Sequence, residues 1–91
     1  MSKLKNAMSL KQFMIRQEVL QMYRSYLRLG RLIQGSDEES SKKLQLEWNT
    51  WVRSEFDLRK NEKNEDVIRN MLVIGKRQLG ELNRSIRISN G

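Results

Sequence analysis

Apolar positions in this chain recur at spacings of three and four rather than two. One set comprises Ile15, Val19, Met22, Tyr26, Leu29 and Ile33, a single stripe on an α-helix that turns about 100° per residue. A second comprises Leu44, Trp48, Trp51, Val52 and Phe56, and a third Ile68, Met71, Leu72, Gly75, Leu79, Leu82 and Ile86. Alternation with the period of a strand is absent. The pattern predicts an all-α fold, an antiparallel up-down-up three-helix bundle with short links.

Polar residues punctuate these stripes. Ser9 and Gln12 have capping-box spacing, in which the serine hydroxyl accepts from the N3 amide and the glutamine reaches back. The first helix is then expected to run to about Gln34, with Gly35 as a left-handed stop. Gly30 falls inside it on the buried arc, at a cost of roughly 1 kcal/mol against alanine. Close approach of another helix is the expected compensation. Ser36-Asp37-Glu38-Glu39 repeats the capping logic, and the second helix starts there or at Ser40. Its Glu55 and Arg59 are spaced as a solvated ion pair. Asn61 to Asn64 is a polar connector, with Asn64 as N-cap and Glu65-Asp66 in the first turn of the third helix. These signals divide the chain into a basic tail at 1–8, one helical domain at 9–88 and a frayed end at 89–91.

The polar faces carry the candidate chemistry. Arg24, Arg28 and Arg31 share one side of the first helix with Gln17 and Gln21, and no carboxylate lies four positions from any of the three arginines. A solvated face is the ordinary reading of such a row. A row of planar, bidentate donors without an acidic neighbour also suits carboxylates or phosphates on a partner. Tyr23 stands at the edge of the apolar arc beside Arg24. On the third helix Arg69, Lys76, Arg84 and Arg87 follow a second line.

Composition narrows the classes. The 91 residues make one small domain, with a formal charge of +7 that favours an acidic protein surface, a nucleic acid or an anionic membrane. Cysteine and histidine are missing, which removes disulfides, thiolate and imidazole catalysis, and the usual zinc or iron–sulfur ligands. No cofactor of its own is expected. No serine or carboxylate stands in a recognisable catalytic arrangement, so the chain does not read as an enzyme. Met71-Leu72-Val73-Ile74 is the longest purely apolar run, far short of a membrane span. From Met1 to Gln17 there are basic residues and no acidic ones, which suits either mitochondrial import or a plain exposed tail.

Met22-Tyr23-Arg24, preceded by Val19-Leu20 and followed by Leu27-Arg28, resembles the Leu-Tyr-Arg signature of the mitochondrial LYR-motif (complex I LYR) family. Ser9 to Phe13, Trp51 to Phe56, Glu65 to Met71 and Gln78 to Leu82 also look like their counterparts in that family, in order. The resemblance implies a matrix assembly adaptor that binds acylated mitochondrial acyl carrier protein, likewise helps respiratory complex I join its NADH-oxidising module, and forms a heterodimer with the carrier. By the same resemblance, Arg24 contacts the carrier's acidic helix and phosphopantetheine phosphate, and Tyr23, Arg28 and Arg31 lie beside it. The acyl-phosphopantetheine would pass between the helices, against Met22, Gly30, Phe56, Met71 and Gly75. An ordinary core around two glycines fits the same residues. Asp57 departs from the pattern, since relatives often carry a basic residue there. Another iron–sulfur or respiratory client, a basic nucleic-acid-binding domain and an amphipathic membrane binder are the alternatives. The helices are long for a helix-turn-helix, and three matched stripes suit mutual burial better than lipid.

Overall fold

The computed structural model describes residues 9–90, and the basic tail at 1–8 lies outside the described residues, as does Gly91. Three helices account for nearly all of it: α1, Leu10–Gly30; α2, Glu38–Arg59; and α3, Glu65–Asn90. Each begins on a side-chain cap. The Ser9 hydroxyl accepts from the Gln12 amide at 3.2 Å while the Ser9 amide donates to Gln12 Oε1 at 3.1 Å, completing the capping box. Asp37 accepts from the Ser40 amide at 2.7 Å, which fixes the start of α2 and holds that carboxyl below its usual range. Asn64 Oδ1 accepts from the amides of Asp66 and Val67 at 2.9 and 3.3 Å.

The end of α1 differs from expectation. The helix stops at Gly30, and Gly35 does not adopt a positive φ. Two contacts from α2 explain this. The Trp48 indole packs against Gly30, and Gln45 Nε2 donates to the Ile33 carbonyl at 2.9 Å, drawing the chain out of the helix. Gly35 serves a close approach instead. A Cβ there would lie 2.7 Å from the Ser40 Cβ, and its amide donates to the Ser41 hydroxyl at 2.8 Å.

α1 is the centre of the fold. It runs antiparallel to α2, with Tyr23 against Phe56 and Tyr26 against Trp48. It runs parallel to α3, where Lys11 pairs with Glu65 at 3.6 Å and Glu18 with Lys76 at 3.3 Å. α2 and α3 bring no pair of Cα atoms within 8 Å of each other, so the three-helix bundle is open between them. The buried apolar core is correspondingly thin: Ile15, Tyr26, Leu29, Val52 and Leu72. Leu44 and Trp51, expected inside, are exposed by 40% and 46% because no α3 residue covers that flank of α2. The molecule measures 56 × 22 × 19 Å, and its radius of gyration of 16.2 Å exceeds the roughly 12 Å of a compact domain this long. No helix among the described residues is long and apolar enough to cross a membrane.

Candidate cleft and arginine faces

Between α2 and α3 opens a solvent-open cleft of about 1220 Å³. Its walls come from all three helices, including Ile15, Val19 and Met22 of α1, Val52 and Phe56 of α2, and Ile68, Met71 and Gly75 of α3. That volume lies above the roughly 300–1,000 Å³ usual for ligand pockets. The lining is mostly apolar, with charged side chains from Arg53 to Glu65 and at Arg16.

Tyr26 holds the walls apart and together. Its hydroxyl donates to the Gly75 carbonyl at 2.7 Å, tying α1 to α3, and its own carbonyl accepts from Trp48 Nε1 at 2.7 Å, tying α1 to α2. Its ring lies 6.3 Å from those of both Trp48 and Phe56 and 6.5 Å from that of Trp51. Burial pushes the Tyr26 hydroxyl above its ordinary pKa, since the phenolate would lose its water. The apolar stripe includes Tyr26 but does not reveal that its hydroxyl reaches across to a backbone carbonyl on another helix.

The residues singled out in the sequence fall in three places. Tyr23 is half-buried in the cleft wall, edge-on to Phe56 at 4.8 Å, and Met22, Phe56, Met71 and Gly75 line the same space. A Cβ on Gly75 would lie 2.5 Å from the Met22 sulfur, so the volume glycine gives up is taken by a methionine that can swing aside. Gly30 stands outside the cleft, filled over by the rigid Trp48 ring. It borders a smaller crevice with Leu27, Arg31, Gln45, Asn49 and Arg53.

Arg24 and Arg28 on α1 and Arg31 at its C-cap are exposed and do not line the cleft. Their guanidinium groups make no hydrogen bond or ion pair among the described residues. The structure adds Arg53 of α2, which the sequence pattern did not single out. It borders both the cleft and the Arg31 crevice, so it links the arginine row to the cavity. Arg16 also reaches the cleft edge. No helical periodicity within α1 could have found Arg53, because its placement depends on how α2 crosses. The expected Glu55–Arg59 pair forms at 2.9 Å on an exposed surface. No cluster of metal-ligating side chains occurs among the described residues.

Residues 17–81 match Complex 1 protein (LYR family), and the chain belongs to that family, as a mitochondrial protein of it. Across most of its length it is similar to LYR motif-containing protein 2. The mouse protein is 42% identical over 84 residues, covering 92% of this chain and 89% of the relative. That of Xenopus laevis is 40% identical over 83 residues, covering 91% and 88%, and that of Danio rerio 39% over 83 residues with the same coverage. No solved structure matches the chain.

Proposed function

We propose that this protein is a matrix adaptor, not an enzyme, that binds acylated acyl carrier protein and brings it to a complex I assembly intermediate. The observation that carries the reading is the 1220 Å³ largely apolar cleft bordered by Arg16 and Arg53, whose side chains make no hydrogen bond or ion pair among the described residues. Membership of the LYR family and similarity to LYR motif-containing protein 2 support the same assignment. Arg24, Arg28 and Arg31 meet the carrier's acidic helix and its phosphate, with Arg53 at the junction of crevice and cleft. Tyr23 and Phe56 flank the path of the pantetheine arm, and the acyl chain lies against Met22, Met71 and Gly75. Gly30 has no part in that lining, because Trp48 occupies its space. The protein supplies apolar surface and charge, and the prosthetic group belongs to the partner.

Co-purification tests this. Expressed in bacteria, the chain captures the host's acyl carrier protein, and intact-mass measurement of that small protein shows a pantetheine arm bearing a fatty acyl group. A chain that purifies alone and ignores added acylated carrier sinks the adaptor reading. Equal binding of acylated and unacylated carrier removes the cleft from it.

A further inference from the structure

Three glycines lie within the helices, and two have a neighbour that explains them. Trp48 packs over Gly30, and Met22 fills the space at Gly75. Gly80, in the middle of α3, is exposed, and a Cβ there would meet nothing within 4 Å. A glycine inside an exposed helix weakens that helix relative to alanine, because it has more backbone freedom to lose. No contact among the described residues offsets that loss.

The face around it is basic. Gly80 lies three residues after Arg77 and four before Arg84, so both guanidinium groups stand one turn away on the same side. Arg69 extends the line two turns earlier, and all three are exposed and without a hydrogen bond or ion pair among the described residues. Lys76 and Arg87 flank the line but are engaged with Glu18 and Asn83. Glu81 sits at its edge. Val73 and Ile88 add apolar surface, exposed by 58% and 72%. Arg77 and Arg84 stand on the far side of α3 from Leu72, Gly75 and Leu79, which face α1, while Gly80 and Arg69 lie about a quarter turn from that side, and none of the four lines the cleft.

We propose that this face is a second docking surface, and that its occupant is an acidic α-helix of another protein seated in the notch at Gly80. The missing side chain lets a helix ridge approach closely, while Arg69, Arg77 and Arg84 recur at eight- and seven-residue steps, roughly 12 and 10 Å apart along the axis. Carboxylates at two-turn intervals on the partner match that repeat. The chain's own first eight residues carry Lys3 and Lys5 and no acid, so they do not complement it. Two isolated aliphatic side chains are too few to wedge into lipid, which argues against a membrane surface.

The test uses the full chain and a soluble helical peptide three heptads long, with glutamates at seven-residue intervals along one side. Binding is expected to fall at least tenfold in Arg77→Glu/Arg84→Glu and to return when the peptide's glutamates are exchanged for lysines. Gly80→Leu is expected to keep or raise the melting temperature yet weaken the peptide at least fivefold. Affinity for acylated acyl carrier protein should stay unchanged in both variants, and a wild-type chain that binds the peptide but ignores the carrier would strike the adaptor reading and not this one. Peptide affinity unchanged in Gly80→Leu, or lost instead in Arg24→Glu/Arg28→Glu, overturns the proposal. So does binding, abolished by Arg77→Glu/Arg84→Glu, to phosphatidylcholine vesicles containing anionic lipid when the peptide does not bind. A self-associated dimer in sedimentation that the same variant dissociates overturns it in favour of a second copy.

Discussion

Tyr26 joins all three helices through atoms a few ångströms apart. Replacing it with phenylalanine keeps the ring against Trp48 and Phe56 but removes the 2.7 Å bond to the Gly75 carbonyl. The expected loss is about 0.5–1.5 kcal/mol in denaturant unfolding. The pH dependence follows from the raised pKa. The unfolded phenol ionises first, near 10.0, so above that pH the folded state binds more protons and stability falls. Below it the contribution is fully present. Comparing wild type with Tyr26→Phe between pH 9 and 11 isolates it, and parallel curves would show that the hydroxyl is not linked to folding. Glycine substitutions separate two kinds of neighbour. Gly30→Ala meets a hydrogen-bonded indole and is expected to cost about 1–3 kcal/mol, whereas Gly75→Ala meets the flexible end of Met22 and is nearly neutral in thermal melts. On the opposite surface, Arg24→Ala should leave helicity intact and lower carrier affinity by about 1.5–3 kcal/mol in low-salt calorimetry, the size of a well-paired charged contact.

Each helix is specified locally at its start. Ser9, Asp37 and Asn64 supply the first-turn amides with acceptors within three residues of themselves, which requires no other part of the chain. The end of α1 is set from α2, by Trp48 and Gln45. α3 has neither kind of interruption through its middle, so Gly80 is its weakest position. Gly80→Ala should raise helix stability by about 1 kcal/mol and the melting temperature by roughly 4–8 °C. A lower melting temperature would mean that the wild-type backbone at Gly80 is not helical.

For the molecule as a whole, five buried apolar side chains among the described residues support a bundle 56 Å long. The cleft leaves apolar surface in water that a compact bundle would bury, so the isolated chain is expected to be only marginally stable. A ligand that fills the cleft binds the folded form alone. Acylated carrier at a hundred times its dissociation constant should therefore add about 2.7 kcal/mol, read as a rise in melting temperature that unacylated carrier does not match. Equal shifts from both forms would mean that the cleft contributes nothing to binding.

The three helices, the starts of α1 and α3 and the polarity of the helix faces were legible in the sequence, because caps and three-to-four spacing act within a few residues of one chain segment, while the start of α2 stayed open between the Ser36–Glu39 stretch and Ser40 until the Asp37 cap decided it. Ile15, Tyr26, Leu29, Val52 and Leu72 were legible as core for that reason, and Tyr23 and Arg24 as the family motif. Tertiary structure decided what no segment encodes alone: that α2 and α3 separate, so Leu44 and Trp51 stay exposed while Met22, Phe56, Met71 and Gly75 share a cavity. It placed Trp48 over Gly30 and turned an expected lining residue into a helix stop. It also brought Arg53 beside Arg31, two residues on different helices that no periodicity relates. Periodicity says which side of a helix is apolar, but only the crossing of three helices decides how much of that side is covered.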